Sequence, residues 1–270
     1  MKLYQRERPQ ARDPATQVIR GAEPFDLGKG KHAVLFVHGW TSSPRELRFL
    51  AEKVAAAGFR CRGILLKGHG LNLKALEKVE FSEHLQECED AFSELAMAHE
   101  RVSICGLSLG GLLALNLARR RRVANLVLLA PFLRPRGHSF GIPHEWLVGR
   151  VPLPDVIPKE APGPIFDEKE LETHIAYHAM PSAGLNSIME AARRMRDQLD
   201  QIDCPTLVLH SVHDRTSDFA GSLDLMRTLA SEDKTLVALN RSNHVITLDY
   251  DRERVETSAR DWLAHRLALH

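Results

Sequence analysis

The chain has 270 residues, 36 Lys and Arg against 35 Asp and Glu, and 44% hydrophobic residues. That length buries a sizeable core without disulfide or metal staples and suits one α/β domain with an insertion or two modest domains. The balanced charge argues against a nucleic-acid partner. No run reaches the roughly 18 apolar residues of a membrane span, so no transmembrane segment is expected.

Residues 1–25 are polar, carry Arg6, Glu7, Arg8, Arg12 and Asp13, and lack the apolar segment of a secretory signal. Within them, 17–20 is expected to form an edge strand. The four cysteines, Cys61, Cys88, Cys105 and Cys204, are scattered with no C-x-x-C spacing. They read as reduced thiols packed as small hydrophobes, which points to a reducing, cytoplasmic setting.

Residues 33–37 are all apolar and predict a buried strand. His38-Gly39-Trp40-Thr41-Ser42-Ser43-Pro44 follows. Ser43 before Pro44 reads as a helix cap followed by proline in the first turn. The helix is expected over 45–57, with Gly58 ending it. A strand over 59–65, the Gly-bracketed turn Lys67-Gly68-His69-Gly70 and a helix over 81–99 come next.

Residues 102–105 predict another buried strand, followed by Gly106-Leu107-Ser108-Leu109-Gly110 and an apolar helix. Strand, G-x-S-x-G and helix together form the context of a nucleophile elbow. Turning a strand into a helix so sharply drives Ser108 towards positive φ, which is costly for a residue with a Cβ. Gly106 and Gly110 leave room for the turn. The Arg119–Arg122 run closes that helix, where cations offset the helix dipole rather than bind nucleic acid. Residues 123–130 predict the next strand.

From 131 to 203 prolines and histidines interrupt the pattern, and only 168–177 and 183–199 look helical. This segment is expected to be an insertion, a lid over the carboxyl ends of the strands, with 1–130 and 204–270 forming the core. His174 and His178 have helical i, i+4 spacing, but no H-E-x-x-H pattern accompanies them, so no metal site is expected. Strands follow over 205–210 and 234–239, helices over 219–229 and 251–269. Alternating strands and helices imply a mainly parallel sheet covered on both faces.

Ser108, Asp214 and His244 each fall just past the end of a predicted strand. Serine needs an adjacent imidazole as base, and the imidazole needs a carboxylate to fix its tautomer and stabilise its cation. The order Ser, Asp, His is that of α/β-hydrolases. A second aspartate, Asp218, precedes the predicted helix and is expected to cap it.

The stretches LFVHGWTSSPRELRFLAEKVAAAGF, LLKGHG, SICGLSLGG, CPTLVLHSVHDRTSD and SNHVITLD spread from Ala33 to Asp249. In these motifs the chain resembles the α/β-hydrolase superfamily, and within it small bacterial carboxylesterases and monoacylglycerol lipases. The resemblance implies Ser108 as nucleophile, Asp214 as acid, His244 as base, and the backbone N–H groups of Trp40 and Leu109 as the oxyanion hole. Trp40 stands where phenylalanine is common, so its ring is expected to line the acyl pocket. His38 and His69 are expected to be structural hydrogen-bonders.

The expected activity is hydrolysis of small-molecule esters of apolar acyl groups through an acyl-enzyme, with no cofactor. Acyl thioesterase and acyltransferase activity on the same triad, and a non-catalytic binding module on the same fold, are the alternatives.

Overall fold

The computed structural model describes residues 10–139, 142–148, 151–159 and 163–268. The first half runs β1 (Phe25–Leu27), β2 (His32–Val37), α1 (Arg45–Ala56), β3 (Arg60–Ile64), α2 (Leu73–Leu76), α3 (Phe81–Ala98), β4 (Arg101–Leu107), α4 (Leu109–Arg120) and β5 (Leu126–Leu129). The segment 131–203 then contributes β6 (His138–Ser139), β7 (Ile142–Pro143), α5 (His144–Leu147), β8 (Val156–Pro158), α6 (Glu168–Thr173), β9 (Ala179–Pro181) and α7 (Ser182–Arg196). The chain closes with β10 (Thr206–Ser211), α8 (Phe219–Thr228), β11 (Lys234–Leu239) and α9 (Arg252–Ala268).

Seven strands form one sheet in the order β1-β3-β2-β4-β5-β10-β11. Every pairing is parallel except β1 with β3. The strand pleat sends alternate side chains to opposite faces. Ala33, Leu35 and Val37 join a core under α3, α4 and α7, while Val34 and Phe36 join a second core under α1 and α9. This two-sided burial explains why β2, β4 and β5 read as continuous apolar runs.

Several expectations are corrected. Residues 17–20 do not form a strand; Arg12 and Ile19 make only an isolated bridge. The sheet edge is Phe25–Leu27, whose Phe25 ring covers Gly63 so closely that a Cβ there would lie 2.3 Å from it. Ser43 does not cap α1, because its hydroxyl turns to the carbonyl of Ile175. The helix expected over 168–177 stops at Thr173, where His174 takes an extended backbone (ψ 125°). His174 and His178 therefore share no helix face. The end expected for the last helix, 269, and residues 1–9 of the polar amino-terminal stretch lie outside the described residues.

Helix α7 packs against α3 and α4. Other described residues of the segment touch the loops past the strand ends. Tyr177 N–H donates to Thr41 O, His244 N–H donates to Pro164 O, and Pro135 bridges Ser217. Among the described residues no helix is long and apolar enough to cross a membrane.

Candidate active site

Ser108 joins β4 to α4 with φ 55° and ψ −112°, the strained backbone the elbow reading requires. Four bonds hold it there: its N–H donates to Leu129 O, and its carbonyl accepts from Gly111, Leu112 and Phe132. Neither elbow glycine has room for a side chain. A Cβ on Gly106 would lie 2.2 Å from Gly110 O, and one on Gly110 would lie 1.9 Å from Val37 O. The second contact packs the start of α4 against the end of β2 and brings the His38–Ser43 turn beside Ser108.

Ser108 Oγ lies 2.8 Å from His244 Nε2, and His244 Nδ1 lies 2.7 Å from Asp214 Oδ2. All three side chains are buried. The turn carrying His244 is fixed by the residues that surround it in the sequence. Asp249 accepts from the N–H groups of Asn243, Phe166 and Asp167, and Asp251 accepts from Ser242 and the Arg241 N–H.

Asp214 spends its other oxygen on the N–H groups of Thr216 and Ser217. Burial works to raise its pKa. The charge of His244 and the hydrogen bonds from His210 and His244 outweigh burial and hold the carboxyl well below the usual carboxylate range. Asp218 caps α8, accepting from Ala220 N–H at 3.0 Å.

His210 donates from Nε2 to Asp214 Oδ2 at 3.0 Å, with Nδ1 accepting from Ser222. In the sequence it is only the last residue of the strand expected over 205–210. Its one signal was the four-residue spacing to Asp214, which in an extended strand followed by a turn does not by itself imply contact.

The Trp40 and Leu109 N–H groups have no hydrogen-bond acceptor among the described residues. Leu109 is buried, and buried N–H groups are almost always paired. Two open donors beside Ser108 suit an anionic oxygen. The Trp40 ring packs under the segment 131–203. It abuts Gly184 of α7, where a Cβ would lie 2.9 Å from the ring, and it contacts the cluster of Leu76, Val79 and Tyr177.

His38 and His69 tie this turn to the Gly-bracketed loop. His38 Nδ1–H donates to Gly39 O and its Nε2 accepts from Leu66 N–H. His69 Nε2 accepts from Thr41 N–H, and its Nδ1–H faces the carbonyls of Leu66 and Lys67. Burial pushes His38 down to about 4 and His69 well below its ordinary value, so both act as neutral acceptors. Among the described residues no group of three or more His, Cys, Asp or Glu is placed to hold a metal ion.

A largely parallel sheet with Ser, Asp and His brought together past its strand ends defines an α/β-hydrolase. A family described as serine aminopeptidase, S33, matches residues 28–251. The thermostable monoacylglycerol lipase of Bacillus sp. (strain H-257) is 32% identical over 244 residues, covering 88% of this chain and 92% of that one. A carboxylesterase of Bacillus subtilis (strain 168) is 24% identical, covering 89% and 96%. A solved structure from the work on LipS and LipT, two metagenome-derived lipolytic enzymes, superposes with a TM-score of 0.83 at 26% identity, covering 93% of this chain and all of that one. The chain belongs to the S33 serine aminopeptidase family of α/β-hydrolases.

Proposed function

We propose that the protein hydrolyses carboxylic esters of apolar acyl groups through an acyl-enzyme on Ser108. The observation that carries this is the unbroken line from Ser108 Oγ to His244 to Asp214. His244 takes the hydroxyl proton as Ser108 attacks the ester carbonyl. Negative charge forms on the carbonyl oxygen and is met by the Trp40 and Leu109 N–H groups. The C–O bond breaks, and His244 returns the proton to the departing alcohol. Water, deprotonated by His244, then attacks the acyl-enzyme; the acyl–Oγ bond breaks, His244 gives its proton to Ser108 Oγ, and the acid is released. Asp214 holds the imidazole in the tautomer that accepts at Nε2 and stabilises its cation.

The segment 131–203 serves as a lid, and the Trp40 ring bounds the acyl site beneath it. The family description names a peptidase, whereas the relatives above are named for lipase and esterase activity. Ester cleavage is preferred because a relative sharing 32% of its residues over most of both chains is a monoacylglycerol lipase. Four free cysteines fit a cytoplasmic setting.

The test is a panel of p-nitrophenyl esters of increasing chain length set against aminoacyl p-nitroanilides, with fluorophosphonate labelling mapped by mass spectrometry. Ester turnover with one labelled serine, Ser108, is expected. Preferred cleavage of the anilides, or full ester activity in Ser108→Ala, overturns the reading.

A further inference from the structure

Glu46 is a buried carboxylate that the proposed chemistry does not use. It sits in the first turn of α1, 2% exposed. One oxygen, Oε2, accepts from the Gly39 N–H at 3.2 Å. The other, Oε1, lies 2.8 Å from His174 Nε2. Burial works to raise its pKa, but the hydrogen bond and charge of His174 outweigh this and keep it ionised. A buried carboxylate without such partners is strongly disfavoured.

Its surroundings are those of the candidate oxyanion hole. A Cβ on Gly39 would lie 3.2 Å from Glu46 Oε2 and 3.6 Å from Ser108 Cβ, so carboxylate, peptide and nucleophile are stacked side by side. The next peptide carries the open Trp40 N–H. The one after belongs to Thr41, which has φ 65°. Positive φ is a true outlier for a β-branched residue and persists only where the surroundings enforce it.

Thr41 is held from every side. Its N–H donates to His69, its carbonyl accepts from Tyr177 N–H, its hydroxyl donates to Trp40 O at 2.5 Å, and the Lys159 ammonium donates to that hydroxyl. Ser42 Oγ lies 3.2 Å from His174 Nε2 and donates to Ile175 O. Four of the groups that grip this turn, Lys159, His174, Ile175 and Tyr177, come from the segment 131–203. The turn is therefore built jointly by the core and the insert.

We infer that Glu46 is a positioning residue for the oxyanion hole, aiming the Trp40 N–H by fixing the Gly39 peptide, and that His174 in the insert holds Glu46 in place. The inference rests on the oxyanion-hole reading above. Glu46 touches no reacting atom; it acts through Gly39. An oxyanion donor contributes only when charge develops on the carbonyl oxygen, so misaiming it slows turnover while leaving ground-state binding alone.

The test compares Glu46→Leu, Glu46→Gln and His174→Phe with the parent on a short-chain p-nitrophenyl ester. Rates are expressed per site titrated with fluorophosphonate. Losing one oxyanion donor outright costs about 10²–10³ in kcat. A donor left in place but poorly aimed is expected to cost about tenfold to a hundredfold in Glu46→Leu, with KM changed less than about threefold. Glu46→Gln keeps an oxygen for the Gly39 N–H and should recover most of the loss. His174→Phe should fall between the two. The Ki of an alkyl trifluoromethyl ketone, whose adduct places an oxyanion in the hole, should rise by the factor that kcat/KM falls.

If Glu46→Leu does not fold, His174→Phe and Glu46→Gln carry the comparison. Parent-like kcat per labelled Ser108 in Glu46→Leu or in His174→Phe, or losses confined to KM, overturn the inference while leaving the triad intact. Failure of the ester reading itself shows separately, as activity that survives Ser108→Ala.

Discussion

His210 Nε2 and His244 Nδ1 converge on the same oxygen of Asp214, at 3.0 and 2.7 Å. One imidazole faces Ser108; the other is anchored by Ser222 and packed edge-on against Phe219. The two histidines thus divide the work at one carboxylate, the inner one fixing Asp214 and the outer one linking it to Ser108. Replacing His210 with Phe removes a hydrogen bond to a charged group, an interaction of about 1.5–3 kcal/mol. The expected result is a loss of that size in urea denaturation, with kcat reduced no more than about tenfold because the His244 bond remains. A kcat as low as that of Asp214→Asn would show that His210 is needed for the chemistry itself.

Asp214 and Asp218 follow the same strand and have different jobs. In the proposed mechanism, Asp214→Asn leaves His244 without its orienting charge. The serine-protease precedent for that change is a loss of about 10⁴ in kcat. Asp218→Ala removes a helix cap worth about 0.5–2 kcal/mol and should leave kcat close to the parent value. Rates on a soluble short-chain ester and thermal melts of both variants decide this. Orders-of-magnitude loss in Asp218→Ala with activity kept in Asp214→Asn would move the acid to the other residue.

In the proposed mechanism Trp40 contributes a backbone donor and a ring, with separate consequences. Trp40→Ala keeps the N–H but empties the space against Gly184 and the Leu76–Val79–Tyr177 cluster. The expected effect is a shift in acyl-chain preference larger than the change in kcat on the best substrate. A uniform loss of about 10²–10³ across all chain lengths would mean that the ring holds the oxyanion donor in place.

Acid should destabilise the fold before its carboxylates titrate. His38 has a folded-state pKa of about 4 against an ordinary 6.5. As pH falls, the unfolded chain takes up the proton first. The stability tied to neutral His38 is therefore complete above about pH 6.5 and drains away as pH falls towards about 4. His69 is shifted in the same direction. Each group contributes a slope of about 1.4 kcal/mol per pH unit within that window. Urea denaturation at about pH 7.5 and about pH 5 measures it, and His69→Asn should flatten the dependence by about one proton. A flat profile between these values would show that the two imidazoles are not held neutral.

Gly110 marks where the elbow helix meets the end of β2. A methyl group there would press to 1.9 Å of Val37 O and 3.0 Å of His38 O, both backbone atoms with little freedom to yield. Gly110→Ala is expected to cost about 3 kcal/mol or more, at the upper end of overpacking penalties. A melting temperature within about two degrees of the parent would mean that α4 can slide away from β2.

The sequence by itself determined most of the elements and where along the chain the candidate triad residues stand. Strands buried on both faces are written as apolar runs such as Ala33-Val34-Leu35-Phe36-Val37. The elbow is written as two glycines at the spacing the turn needs, and Asp214 and His244 stand in loops whose place follows from the strands before them. These are local signals, readable within a few residues. Only the tertiary structure decided which side chains meet. Glu46 and His174 are 128 residues apart, in a first helical turn and at a helix end, and neither position carries a periodicity or motif that names its partner. The same holds for His210 on Asp214, for Ser43 turning from its helix to Ile175, and for the edge strand falling at Phe25 rather than at 17–20. Hydrophobic pattern records how deeply a residue is buried. The partner of a buried polar group is set by where the packed elements bring a donor and an acceptor together, and for these pairs that is known only once the chain has folded.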